Sequence, residues 1–345
     1  MNAARFAAIT ERFAGLRIGV AGDFCLDRYL EIDPARSETS LETGLAAHNV
    51  VRVRAQPGGA GTIVNNLAAL GVGRIELLGF CGDDGEGYEL RRALAALPGV
   101  RLEHFLTTPL RRTFVYAKPL VIEPGQPPRE LNRLDSKNWT PTPVELQRDL
   151  AERLRKLADR ADALVLLDQV DVAETGVVTA SFCDAAHAAQ TTHRDLLVLA
   201  DSRRGLGSFP PLGFKMNAAE LGRFSHPPSD ISGADLDRIK QAAAALADST
   251  ERPVFVTLAE RGIVGAIKGR PAEHAAAFPL RGPIDVVGAG DAVTAALAAS
   301  LAAGAELREA MELAMAAASL VVHQLGTTGT ATVEEMDRLL KFSAN

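Results

Sequence analysis

Seven residues, Asp285-Val-Val-Gly288-Ala289-Gly290-Asp291, combine two glycines and two carboxylates with the start of a run of good helix formers. The glycines allow a sharp turn and leave no side chain in the path of an approaching ligand. Amides exposed where the following helix begins form an anion site, reinforced by the helix dipole. A dinucleotide-binding turn is one reading, but its sixth position is Val293, not Gly or Ala, and the turn falls late in the sequence. A carboxylate at Asp291 would also repel a static pyrophosphate. Phosphoryl transfer needs both parts: a base for the attacking hydroxyl and amides for the charge on the moving group. An ordinary capped helix would leave the same short pattern. No Gly-x-x-x-x-Gly-Lys-Ser/Thr occurs, which excludes a P-loop.

These residues must be held by something. Apolar strand patterns at 17–21, 75–79, 163–167, 196–200 and 254–258 alternate with helix patterns at 60–70, 85–97, 144–158, 173–190, 232–248, 289–302 and 307–323. Such alternation predicts an α/β fold, a doubly wound, mostly parallel sheet flanked by helices. Two segments, about 29–56 and 105–135, carry strand text without crossover helices; the second is broken by Pro124, Pro127 and Pro128. They are expected to form one small β lid on a single domain spanning 1–345. Asp168 and Asp201 end predicted strands, on the side where an open sheet binds ligands, although either also fits a helix cap.

Composition narrows the function classes. The 345 residues are 47% hydrophobic and 23% charged, ordinary for a globular enzyme. A net charge of -6 and the lack of any basic run argue against nucleic-acid or membrane-surface binding. Cys25, Cys81 and Cys183 have neither disulfide nor zinc spacing, so a reducing, cytoplasmic setting is expected. Phe6, Ile9 and Phe13 at helical spacing read as an amphipathic helix rather than a signal peptide, and no apolar run approaches a transmembrane length. His193, His226 and His323 lack ligand-like spacing, and Trp139 sits in a Pro-rich stretch that reads as surface loop.

A second signature precedes the first: Pro57-Gly58-Gly59-Ala-Gly-Thr-Ile-Val-Asn65-Asn66-Leu-Ala-Ala-Leu-Gly71. Together, in this order and separated by a βα array, they resemble the ribokinase-type (PfkB) carbohydrate kinase family over nearly the whole chain. Val286 departs from the Thr or Ser usual in that family. The resemblance implies an ATP-dependent, Mg2+-requiring sugar kinase, with room for a monovalent cation near the anion hole. Asp291 would be the general base, with Gly288, Ala289 and Gly290 supplying the anion hole. Asp23, Asp27, Gly58, Gly59, Asn66 and Asp168 would line the sugar site. Lys215, Asn217, Thr257, Gly262 and Met315 would border the nucleotide, and Asn217 with Glu220 would hold magnesium through water. Relatives often have Asn at the Met315 position and Gly at the Ala259 position.

Within the family, Leu26-Asp27-Arg28-Tyr29, Pro57-Gly58-Gly59-Ala60 and Asn132-Arg133-Leu134-Asp135 are similar to the heptose-phosphate kinase branch. That branch carries Lys-Gly shortly after the strand-end Asp, where this chain has Asp171-Val172. The partners implied are ATP and a sugar or sugar phosphate, with a homodimer formed through the lid edges. Two rivals remain: a nucleoside kinase of the same superfamily, opposed by 5% aromatic content, and a sugar- or nucleotide-binding relative without catalysis.

Overall fold

The computed structural model describes residues 1–224 and 228–343; His226 lies outside them. Helix α1 (Ala3–Thr10), capped by the Asn2 side chain, leads into β1 (Arg17–Gly22), an apolar and almost wholly buried strand. A single residue, Asp23, separates β1 from β2 (Phe24–Ile32), which leaves the sheet for the lid. A short hairpin, β3 (Glu38–Thr39) and β4 (Ala46–Ala47), precedes β5 (Val50–Gly59), which returns antiparallel along β2. Helix α2 (Ala60–Ala69) starts directly from Gly59, whose φ of 58° favours glycine.

The chain continues through β6 (Arg74–Gly82), α3 (Gly85–Ala95), β7 (Val100–Arg101) and β8 (Phe105–Thr108). β8 pairs with β6 in the large sheet, so the second lid excursion begins at Phe114 rather than near 105. It consists of β9 (Phe114–Val121), β10 (Arg129–Glu130) and β11 (Leu134–Ser136). The lid sheet runs β10-β9-β2-β5, with β2 and β9 parallel and the other pairs antiparallel. Pro119 does not interrupt β9, because it falls between the residues paired by β10 and those paired by β11.

Then come α4 (Val144–Ala158), β12 (Ala163–Asp168), α5 (Ala180–Thr192), β13 (Leu197–Ser202), β14 (Gly213–Asn217), α6 (Ala218–Gly222) and α7 (Leu236–Thr250). α5 begins seven residues later than its apolar pattern predicts. Glu174 has a φ of 65°, which a helix does not admit, and Thr179 caps the true start. The remainder is β15 (Val254–Thr257), β16 (Ile263–Ala266), β17 (Glu273–Ala275), α8 (Ala289–Ala302), α9 (Leu307–Val321) and α10 (Val333–Ser343).

The large sheet has the order β17-β16-β15-β14-β13-β12-β1-β6-β7, parallel except for the antiparallel edge β15-β16-β17. One apolar layer joins one face of the sheet to α2, α8 and α9, and α4, α5 and α7 cover the other. α8 is apolar all round, and Ala292, Ala295, Ala296, Ala298 and Ala299 are fully enclosed. Small side chains let it lie deep between α2, α9 and the sheet, which fixes its N-terminus. No helix among the described residues is long and apolar enough to cross a membrane.

Candidate active site

The site is assembled around the start of α8. Gly288 is its N-cap, with φ 82°, a left-handed value that a side chain would strain. The first helical hydrogen bond runs from the Ala292 amide to the Gly288 carbonyl at 3.0 Å. The Gly290 and Asp291 amides precede it, where a helix has no carbonyl to offer them. Asp285 holds the preceding turn: its oxygens accept from the Val287 amide at 3.0 Å and the Gly326 amide at 3.3 Å.

Asp291 lies in the first turn, half-buried. Burial pushes its carboxyl up to about 7, Lys215 pulls it back, and the Asp201 and Asp27 carboxylates push the same way as burial. Lys215 stands in the middle of β14, with Nζ 2.7 Å from Asp201 Oδ2 near the end of β13. Burial alone would lower the Lys215 pKa, but Asp201, Asp291 and Glu220 hold it above its ordinary value. A Cβ at Gly290 would stand 2.9 Å from that ammonium, so glycine there leaves room for the lysine. Thr294 on α8 donates to the Gly290 carbonyl at 3.0 Å. In the sequence Asp201 stands at a strand end with no assigned role; its tie to Lys215 depends on β13 and β14 being neighbours.

The lid faces this centre. Asp27 sits within β2, buried, and next to Gly58, which β5 brings opposite Cys25. Burial raises the Asp27 carboxyl and Lys118 of β9, with Nζ 3.6 Å away, lowers it. Lys118 gave no signal in the sequence, since its distance from Asp27 is set by the β2–β9 register. Asn66 is enclosed in α2, donating to the Thr62 carbonyl at 2.9 Å and the Gly329 carbonyl at 3.5 Å. Gln56 of β5 reaches the same loop through Thr328 at 2.5 Å, so lid, α2 and the 324–330 loop are tied together.

Asp23 is otherwise occupied. Its oxygens accept from the Gln169 amide at 2.8 Å and the Val177 amide at 2.7 Å, tying the end of β1 to the loop after β12. Burial and the Asp168 carboxylate raise it to about 7 despite these bonds. Asp168 is fully enclosed; Ser202 Oγ and Arg204 each donate to its Oδ2 at 2.7 Å, and Oδ1 has no partner. A narrow crevice next to these residues is lined by Asp23, Cys25, Tyr116, Lys137, Asn138 and Asp171, among others. Trp139, exposed and in a loop as expected, also borders it.

On the other side of α8 an open cleft of about 850 Å³ runs past Asn217, Thr257, Gly262, Gly290 and Met315. Its walls are largely apolar, with Phe278, Ile284, Val293 and Val322 among them. At Gly262, φ 95°, a Cβ would strike the Ala275 carbonyl. Ala259 also lines the cleft and takes a φ of 52°, where glycine would be unstrained. Asn217 and Glu220 form a complete capping box at α6: Asn217 Oδ1 accepts from the Glu220 amide at 2.9 Å, and Glu220 Oε2 from the Asn217 amide at 2.8 Å. Glu220 keeps one oxygen free of that box. No group of three His, Cys, Asp or Glu side chains among the described residues is placed to enclose a metal.

Residues 24–334 match the profile of the pfkB family carbohydrate kinases. The chain belongs to that family. It is 31% identical over 340 residues to the bifunctional protein HldE of Gluconacetobacter diazotrophicus, covering 94% of this chain and 63% of that protein. The HldE of Azorhizobium caulinodans is 30% identical over 316 residues, 90% of this chain and 61% of its own. The chain thus spans about three fifths of the length of these relatives. Among solved structures, Arabidopsis thaliana ribokinase complexed with ribose and ATP superposes with TM-score 0.68 at 20% identity, covering 95% of this chain and 99% of that one. Escherichia coli phosphofructokinase-2 in complex with potassium gives 0.68 at 18% identity, covering 96% and 100%. These distant likenesses establish the ribokinase-like fold.

Proposed function

We propose that this chain transfers the γ-phosphoryl group of ATP to a hydroxyl of a sugar held between the sheet end and the lid. The observation that carries this is the convergence on one helix N-terminus of a carboxylate, free amides and a buried lysine. Asp291 takes the hydroxyl proton, and its pKa near 7 leaves it largely ionised at slightly alkaline pH while keeping it basic enough to accept. The Gly290 and Asp291 amides, with Lys215, oppose the charge on the transferring group. Asp27 and Asn66 belong to the sugar side, Thr257, Gly262 and Met315 to the nucleotide cleft. Closure of the lid, whose central strands are β2 and β9, would exclude water and limit ATP hydrolysis.

Asn217 and Glu220 would hold the magnesium that accompanies the nucleotide, and the ion would supply charge neutralisation for the transferring group. Asn217 and Glu220 fit an indirect role, because the capping box uses their main polar atoms and leaves one Glu220 oxygen for a metal-bound water. Asp285, whose oxygens accept the Val287 and Gly326 amides, would hold the turn beside which a monovalent cation could supply further positive charge to the anion hole. The three free, buried cysteines fit a reducing, cytoplasmic setting.

A nucleoside acceptor finds less support. The lid does bring Tyr29 and Tyr116 beside the site, which composition could not reveal. Their ring faces are already covered, Tyr29 by Arg54 and Lys118, Tyr116 by Arg133 and Lys137. A panel of sugars, sugar phosphates and nucleosides, assayed with Mg-ATP for ADP release and phosphorylated product, tests the proposal. Product from sugars is expected; product from nucleosides alone, or from nothing, would defeat it.

A further inference from the structure

The narrow crevice between the sheet end and the inner lid face carries an unusual charge balance. Lys137 is the sole Lys or Arg among the described residues lining it, against two carboxylates, Asp23 and Asp171. The Lys137 ammonium lies 2.6 Å from Asp171 Oδ2 and 3.6 Å from Asp135 Oδ2. The other Asp171 oxygen meets Arg203 Nε at 3.2 Å. Arg133 is paired with both Asp135 oxygens at 2.9 Å, Arg204 with Asp168 at 2.7 Å, and Lys118 faces Asp27 at 3.6 Å. Each of these five cations is already engaged by a carboxylate, with Asp171 shared by Lys137 and Arg203 and Asp135 by Lys137 and Arg133.

A phosphate monoester brings a charge of about -1.5 to -2 at neutral pH. It is bound where cations are in excess, preferably by paired guanidinium donors. Here it would have to displace Asp171 from both Lys137 and Arg203, then lie beside the carboxylate it had freed. Like charges brought together in a partly dry site are strongly unfavourable. An uncharged polyol brings no charge to be opposed, and the Gln169 side chain with the Lys137–Asp171 pair offers it both donors and acceptors at the crevice.

We infer that Asp171 determines the acceptor class: by neutralising Lys137 and Arg203 it fits the crevice to an uncharged sugar and against a sugar phosphate. This rests on the kinase reading above, with Asp171 acting on specificity rather than on the transferred group.

Calorimetric titration of the wild-type chain and Asp171→Asn tests it, using neutral pentoses, hexoses and heptoses beside their terminal phosphates. The wild type is expected to bind at least one neutral sugar, and to bind it about tenfold or more tightly than its phosphate. Asp171→Asn should shift that ratio toward the phosphate by about tenfold or more. Lys137→Gln, which removes the cation instead, should leave phosphates excluded, and melting curves confirm that both variants fold. Tighter wild-type binding of a sugar phosphate, an unmoved ratio in Asp171→Asn, or no neutral sugar bound would each overturn the inference. The two readings fail separately. A sugar phosphate that binds and is phosphorylated ends this inference but keeps the kinase; neutral sugars that bind yet never receive phosphate do the reverse.

Discussion

Asp291 combines a catalytic demand with a local cost. Burial and the neighbouring Asp201 and Asp27 disfavour its charge, and only Lys215 favours it. The proposed base must be deprotonated, so kcat/KM should fall as pH drops through about 7, with one acid limb of that apparent pKa. A flat profile from pH 6 to 8 would contradict the assignment. Its folded-state pKa lies above the ordinary carboxylate value. The ionised form therefore weakens the native state above about pH 7, and that penalty vanishes below about pH 4. Asp291→Asn should accordingly melt higher than wild type at pH 8 and no higher at pH 4, a gain in stability bought with activity. Gly290→Ala places a methyl group against the Lys215 ammonium, and should lower kcat while leaving the sugar's affinity largely intact.

At the scale of elements, α8 was legible to the residue, because its glycine turn and run of small residues leave one solution. The central strands were legible for the same reason, being apolar on both faces. The antiparallel edge β16-β17 and the helix α10 were not read, since short edge strands and a terminal helix carry little periodic signal. The lid boundaries differ from the sequence pattern where β5 runs on through Pro57-Gly58-Gly59 and where β8 pairs with the large sheet. The family resemblance gives Asn217 and Glu220 a role at magnesium, and the structure shows them forming the capping box of α6. Glu220→Gln keeps an oxygen for the cap but removes the charge. Its melting temperature should hold, while the magnesium concentration for half activity should rise about tenfold or more. An unchanged magnesium requirement would leave α6 with a capping role alone.

For the whole molecule, the two signatures in sequence predicted the family and the fold, but not which charges meet. Lys118 against Asp27, Lys215 against Asp201 and Lys137 against Asp171 join segments far apart in the chain, and only sheet order and lid register bring them together. The lid also leaves β5 at one end of its sheet, with Val50, Val51 and Val53 exposed along it. We expect a homodimer through that edge; light scattering should give twice the 36.5 kDa chain mass, and Val51→Lys should shift it toward monomer. The central claim concerns Asp291, and one measurement addresses it most directly: turnover of the best sugar acceptor with saturating Mg-ATP, wild type against Asp291→Asn. A fall in kcat of about 10²–10⁴-fold, with ATP still bound, is the predicted result. Equal turnover by the two proteins would contradict it.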